Sequence, residues 1–242
     1  MERALVPELL DELPHGDPRA VRSRGDLRRI NWLMRQAPIM ADLLRDRLPE
    51  PSGGTPGSIP GLLEIGAGDG TPAMRLARRL ATDVPAAHLV LLDMAPAVRP
   101  DALDAIQATG WSVEVVTADA FAWLERCGDT FDAVVVNLFL HHFEGPALDR
   151  LLALAAERGR LFAATEPRRD RLSLLAARLT GLIGANSVTR HDAPASVRAG
   201  FRGGELARAW RAAGGGEVLA EGRRGPFTHA FLARGRLFRR TS

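Results

Sequence analysis

The sequence predicts an α/β fold: a doubly wound, mostly parallel sheet of seven strands with an N-terminal helical cap. Two observations predict it. From Gly61 to Pro167, short apolar runs of strand length alternate with segments of helical period, and strands buried on both faces read as such continuous runs. Ahead of them, residues 1–48 carry helical spacing alone. The proline-, glycine- and serine-rich stretch "PEPSGGTPGSIPG" (Pro49–Gly61) separates the two regions as a linker.

The elements follow in order. In the cap, residues 1–50, Leu27, Ile30, Leu33 and Met34 stand at helical spacing, with Leu43, Leu44 and Leu48 beyond Pro38. "GLLEIG" is a short buried strand, and "TPAMRLARRLATD" a helix with Pro72 in its first turn. "AHLVLLDM" is the second strand, followed by a helix across "APAVRPDALDAIQATG". "SVEVVTAD" is the third strand, "FAWLERC" a short helix and "FDAVVVNLFL" the fourth strand. "GPALDRLLALAAERG" is a helix and "RLFAATEP" the fifth strand. Beyond it "RLSLLAARLTGLIG" and "GGELARAWRAAG" read as helices, and "GEVLAEG" and "PFTHAFLARG" as two last strands.

Composition narrows the class. A chain of 242 residues buries a full core as one domain, here residues 58–242 after the cap. Apolar residues at 46% and charged residues at 25% are ordinary for a soluble protein. No run approaches the roughly 18 unbroken apolar residues of a membrane span, and the acidic, proline-containing N-terminus does not read as a signal peptide. Cytoplasmic localisation is therefore expected, with no membrane partner. The single Cys127 excludes an internal disulfide framework and a cysteine zinc cluster. The net charge of +3 hides an asymmetry: residues 1–150 hold 15 arginines against 22 acids, and residues 151–242 hold 17 against 7. An anionic substrate or partner near the C-terminal part and a set of solvated arginines both fit it.

The loop after the first strand carries most of the functional signal. It reads Gly66-Ala67-Gly68-Asp69-Gly70. A phosphate loop needs Gly-Lys-Ser/Thr here, and the chain has no lysine. A dinucleotide fingerprint places its third glycine at position 71, which is Thr71. Three carboxylates border the loop: Glu64 within the first strand, Asp93 ending the second and Asp119 after the third. In a doubly wound sheet all three carboxyl ends meet one crevice.

With this set the sequence resembles the class I S-adenosylmethionine-dependent methyltransferases of bacterial small-molecule type, over roughly residues 58–165. Their pattern is Glu/Asp-x-Gly-x-Gly-x-Gly, a ribose-binding acid after strand two and an acid beside the adenine after strand three. The resemblance implies a Rossmann-like fold and S-adenosyl-L-methionine as cofactor. It implies that Asp93 takes the ribose hydroxyls, that Asp119 with Ala120 reads the adenine amine, and that Met94 packs on the adenine face. Gly66, Ala67 and Gly68 let the backbone approach, and Glu64 positions the methionine end. Asn137 after strand four and Arg35 from the cap join the cofactor-binding set. The ligand's ribose hydroxyls, amine and ammonium are all donors, and ionised carboxylates are pure acceptors.

The fourth strand leads into "NLFLHHFEGP", which sets His141 and His142 past a carboxyl edge; a similar Leu-His-His segment occurs in many small-molecule members of the class. Deprotonating a phenol of pKa about 10 at pH 7 costs about 4 kcal/mol, so an imidazole base is worth having there. His191, beside Asp192, and His229 are rival bases, although adjacent residues seldom face each other on a regular element. The Asn/Asp-Pro-Pro-Tyr signature of adenine and glutamine N-methylation is missing, because Asn137 is followed by Leu138-Phe139-Leu140. Asn137 and Glu166 lack a third convincing acid, so no metal is expected. The insert of about 168–212 lies where the class builds a substrate lid, and its Leu174, Leu175, Leu179, Leu182 and Ile183 suit a hydrophobic acceptor or an ordinary core. The expected function is O-methylation of a phenolic or polyketide-like small molecule by a monomer or homodimer. The rivals are an RNA methyltransferase and a non-catalytic cofactor-binding partner or regulatory subunit. Few aromatics, 5% of the chain, accompany the arginines, which argues against a nucleic-acid platform.

Overall fold

The computed structural model describes residues 1–236 apart from His15, 49–58 and Pro96; most of the expected linker thus lies outside the described residues. Three helices come first, α1 (Leu9–Glu12), α2 (Pro18–Leu33) and α3 (Gln36–Leu44). The alternating region runs β1 (Gly61–Ile65), α4 (Thr71–Leu80), β2 (His88–Asp93), α5 (Pro100–Gln107), β3 (Ser112–Thr117), α6 (Ala120–Arg126), β4 (Phe131–Asn137), α7 (Gly145–Arg158) and β5 (Gly159–Pro167). There follow α8 (Arg171–Arg178), α9 (Ser187–Ala199), α10 (Glu205–Ala212), β6 (Val218–Arg224) and β7 (Thr228–Arg234).

The strands form one seven-stranded sheet in the order β3-β2-β1-β4-β5-β7-β6. β1 to β5 are parallel, and β7 runs antiparallel between β5 and β6. Strand order reverses between β1 and β4, which opens a crevice beyond their carboxyl ends. The pleat sends alternate residues to opposite faces. Leu63, Ile65, Val134, Val136 and Phe162 join Trp210 and Phe231 in one core. Leu62, Leu89, Leu91 and Val135 join Met40 and Leu44 of α3 in the other. The cap is thereby built into the second core. Among the described residues no helix is long and apolar enough to cross a membrane.

Five local readings of the sequence need correction. α2 does not bury Leu27, Ile30, Leu33 and Met34; it buries Ala20, Ser23 and Asp26. That face is polar because its partner α9 is polar. Ser23 Oγ lies 2.8 Å from Thr189 Oγ1, and Asp26 Oδ2 accepts from Asn186 N–H at 2.8 Å. α9 itself is a helix the sequence hid, since Pro194 inside it reads as a breaker. The Asn186 cap on Thr189 N–H (2.9 Å) and the burial of Val188, Ala195 and Val197 outweigh the lost backbone bond. β4 stops at Asn137, because Leu138 turns the chain at φ +54° into a 3-10 turn, Leu140–His142. The helix after β2 begins only at Pro100, with Arg99 extended as a residue before proline must be. In the insert, Leu175, Leu179, Leu182 and Ile183 are exposed rather than core.

Candidate active site

Where β1 ends, Gly66, Gly68 and Gly70 take φ of +75°, +54° and +76°, conformations that favour glycine. Asp93 grips the loop from the end of β2. Its Oδ2 accepts from Gly68 N–H at 2.8 Å and its Oδ1 from Ala95 N–H at 2.9 Å. The half-buried carboxylate keeps further lone pairs for a ligand. On the other side Asp69 accepts from Thr71 N–H at 3.0 Å and pairs with Arg28 Nη1 of α2 at 2.9 Å. Arg28, not Arg35, is the cap arginine that reaches the loop. Arg35 is an exposed residue at φ +59° between α2 and α3.

Glu64 lies deep in β1, 2% exposed. Burial, then the charges of Asp93 and Asp69, push its carboxyl up to about 8. Its Oε2 has no hydrogen-bond partner among the described residues. It lines a small cavity together with Gln36 of α3 and Asn137 at the end of β4. Asn137 Oδ1 accepts from Thr165 Oγ1 at 2.8 Å, which fixes its amide. Asp119 is exposed at the carboxyl end of β3 and caps α6, its Oδ1 accepting from Ala122 N–H at 2.8 Å. Ala120 opens that helix, and Met94, 76% exposed, follows Asp93.

At the end of β4 the strained turn at Leu138 delivers two unlike histidines. His141 is buried, its Nδ1 2.7 Å from Glu166 Oε2 on β5 and its Nε2 3.6 Å from Glu8 Oε1 of the N-terminal segment. Burial works against its charge, but the two carboxylates prevail and hold its pKa at about 9. Glu166, fully buried, also accepts from the N–H groups of Phe139 (3.0 Å) and Leu140 (2.8 Å), so it caps the turn as well. His142 stacks on His141 with ring centroids 4.3 Å apart. Burial, then the charge on its neighbour, lowers its pKa below the usual value. Phe139 joins this pair to the glycine loop. Its ring packs on Gly66, where a Cβ would stand 2.4 Å from Cδ2, and its centroid is 6.4 Å from that of His142.

The ligand atoms of Glu8, His141 and His142 lie within 4.8 Å of one another. Within it Glu8 bonds Ser196 and faces the charged His141, which brings its carboxyl below the usual range against the pull of burial. The rival histidines sit elsewhere. His191 does pair with adjacent Asp192, at 2.9 Å, contrary to expectation. The same carboxylate accepts from Leu9 and Leu10 N–H at 2.8 and 3.0 Å, so the pair fastens the N-terminal segment. His229 is buried on β7 with Nε2 2.9 Å from Glu221 Oε1, and Glu221 caps α10 through Leu206 and Ala207 N–H.

Residues 62–158, which run from the glycine loop through α7, match the family described as "Methyltransferase domain". This part of the chain is similar to a methyltransferase domain. Its Rossmann-like fold is shared with an O-methyltransferase family protein from Burkholderia thailandensis: 20% identity, 91% of this chain and 61% of that one, TM-score 0.56. It is shared also with the pyocyanin biosynthetic protein PhzM: 20% identity, 95% and 62% coverage, TM-score 0.58. A third neighbour is the plantazolicin methyltransferase BpumL: 12% identity, 91% of each chain, TM-score 0.60. At these identities the likeness is one of fold, and the chain spans about three fifths of the first two proteins' length. No curated protein sequence matches the chain.

Along this stretch the structure brings Glu64, Gly66, Ala67, Gly68, Asp93 and Asn137 to one carboxyl edge and His141 and His142 beside them. Sequence reasoning missed Glu8, Arg28 and Gln36, all from the first 36 residues. Glu166 had a signal, an acid ending the fifth strand at the same edge.

Proposed function

We propose that the chain transfers a methyl group from S-adenosylmethionine to an oxygen of a small, phenolic or enolic acceptor. The observation that carries this is the Phe139 ring, which packs on Gly66 of the glycine loop and lies 6.4 Å, centroid to centroid, from the His142 ring. The cofactor loop and a base are thus one ring apart. When bound, the cofactor supplies an activated methyl on a sulfonium, so the protein's share is positioning and proton removal.

Asp93 and the glycine loop fit a ribose, because the carboxylate is pre-oriented by Gly68 and Ala95 and has capacity left. Asp119 and Ala120 stand where an adenine edge would be read. His142 is neutral at pH 7 because its pKa is lowered, so it accepts the acceptor's hydroxyl proton as the methyl transfers in line. His141, already charged at pH 7, holds its neighbour in place and keeps it neutral. Two adjacent imidazoles driven apart in pKa divide the labour between structure and base. The T-shaped pairs of Phe143 with Phe139 (5.1 Å) and with Phe121 (5.6 Å) provide an aromatic wall beside His142 for a flat acceptor. The insert of about 168–212, with its exposed leucines, serves as the lid.

Calorimetry tests the cofactor half: adenosylhomocysteine binds and NAD does not. NAD heat with no adenosylhomocysteine heat would overturn it. For the base, His142→Ala leaves adenosylhomocysteine affinity nearly intact and lowers turnover roughly 10²–10⁴-fold, less at high pH where hydroxide substitutes. Full activity at neutral pH would return His142 to a structural role.

A further inference from the structure

α8 is built the reverse way for a surface helix. Its buried positions are the small Ser173 and Ala177, whereas Leu172, Leu175 and Leu179 face outward, 50, 55 and 47% exposed. The pattern runs on into the 3-10 turn Thr180–Ile183, where Thr180 is buried and Ile183 and Leu182 are exposed, Leu182 at 82%. A surface helix ordinarily turns its apolar stripe to the core and its polar face to water. Here leucines at i, i+3 and i+7 share the outer face and lead directly into the turn, so five large apolar side chains form one outward ridge. Contiguous exposed apolar surface of this kind marks an interaction site. The ridge has a basic border. Arg171 and Arg178, also i and i+7, are exposed in a row beside the leucines. Arg190 of α9 lies against the turn, its Nε 3.2 Å from where a Cβ on Gly181 would stand. From Arg171 to His191 the sequence has no acid, and among the described residues none of these three arginines enters an ion pair.

We propose that this ridge docks on a lipid surface with anionic headgroups, the leucines entering the interfacial layer and the arginines lying at the headgroups. Charge decides the sign of the partner: a face with unpaired cations and no acid is complementary to an anionic surface. A second copy of the chain packed ridge to ridge about a two-fold axis would set arginine row against arginine row. Size and shape favour lipid as well. Five apolar side chains projecting from a helix and a turn are few beside the roughly 20–30 residues a side of a standard protein interface. A bilayer surface asks for no shape complementarity, only for apolar side chains that protrude with cations beside them. The expectation of no membrane partner followed from the lack of a spanning segment, and a helix lying in the interface needs none. α8 packs on α9, and α9 packs on the turn that carries His141 and His142, so the docked face lies one helix away from the histidine pair.

The test is co-sedimentation of the full chain with two kinds of vesicle, one of phosphatidylcholine alone and one of equal parts phosphatidylcholine and phosphatidylglycerol. The wild type should sediment with the mixed vesicles, bind pure phosphatidylcholine roughly ten-fold more weakly, and be released from the mixed vesicles as salt is raised. The double variant Leu175→Ser, Leu182→Ser should bind the mixed vesicles roughly ten-fold more weakly or less, with its urea midpoint unchanged because both sites are exposed. If that variant does not fold, Arg171→Gln with Arg178→Gln decides, with a loss of roughly ten-fold on mixed vesicles and none on pure phosphatidylcholine. A wild type that stays in the supernatant with both vesicles overturns the proposal. So does equal binding to the two vesicles, or a folded leucine variant that binds as the wild type does, which would place any lipid contact on another surface. Sedimentation velocity without lipid identifies the rival occupant: a dimer that the leucine variant dissolves, together with no vesicle binding, gives the ridge to a second copy and overturns the proposal. None of these readouts involves cofactor or methyl transfer, so the result stands apart from that reading.

Discussion

Glu64→Gln is the substitution that reads the site most directly. In the unfolded chain this carboxyl has its ordinary value of 4.5, and in the folded protein it stands at about 8, chiefly through burial. The folded state therefore binds more protons than the unfolded one between these pH values. The stability tied to the protonated form is fully present below pH 4.5 and is lost as pH rises through about 8. At about 1.4 kcal/mol per pH unit this amounts to roughly 3–5 kcal/mol, a large part of a domain's stability. Glutamine has the shape without the titration. Urea unfolding at pH 5 and pH 8.5 should show the variant overtaking the wild type by several kcal/mol across that interval. His141 also loses a proton as pH rises, but it does so in both proteins and cancels in the difference. Saturating adenosylhomocysteine should flatten the wild-type slope, because an ammonium beside Glu64 favours the ionised form. At pH 7 most of the free protein holds the Glu64 proton, so binding should release close to one proton, read from calorimetry in buffers of different ionisation heat. If wild type and variant lose stability in parallel from pH 5 to 8.5, Glu64 does not titrate as argued.

Asp93→Ala should weaken adenosylhomocysteine by about 1.5–3 kcal/mol in calorimetry, the worth of hydrogen bonds to a charged group. Gly66→Ala should destabilise by about 1–3 kcal/mol, since φ is +75° and the new Cβ would meet the Phe139 ring. Adding Phe139→Ala should recover the steric share in urea unfolding but not the backbone share. His141→Ala strands Glu166 and Glu8 without their common partner and should cost about 3–5 kcal/mol at pH 7. A His141→Ala protein that unfolds at the wild-type urea midpoint would refute the buried charged triad.

The parallel half of the fold was legible because each of its signals is local. Leu62, Leu63 and Ile65, or Val134 to Val136, announce buried strands by being unbroken, and the glycine loop carries its own left-handed residues. Asp93 and Glu64 were readable because a strand's carboxyl end is known as soon as the strand is. α9 and the inner face of α2 were not, since their contact is a polar one between Ser23, Asp26, Asn186 and Thr189, and no hydrophobic period marks such a surface. His141 and His142 were found as a pair, but nothing in "LHH" says which ring is charged. That depends on Glu166 from β5 and on Glu8, whose arrival is a matter of tertiary path.

The same path explains why the first 36 residues belong to the site rather than merely flank it. Arg28 holds the glycine loop through Asp69, Gln36 reaches the Glu64 cavity, and Glu8 sets the charge of His141. The segment that carries Glu8 is itself fastened to α9: Asp192 accepts from Leu9 and Leu10, and Arg3 donates to the Ala199 carbonyl at 2.7 Å. On the proposed function, each end of the reaction, the cofactor's amino-acid end and the acceptor's base, would be completed by a residue delivered from outside the sheet. A sheet alone supplies a loop, acids and histidines along one edge. It is the docked cap that excludes water from Glu64 and keeps His142 next to a charge, so binding and proton transfer share one structural requirement. Weakening the cap, for example by Arg28→Ala, should lower adenosylhomocysteine affinity and turnover together. An Arg28→Ala enzyme with unchanged affinity and turnover would show that the sheet edge suffices.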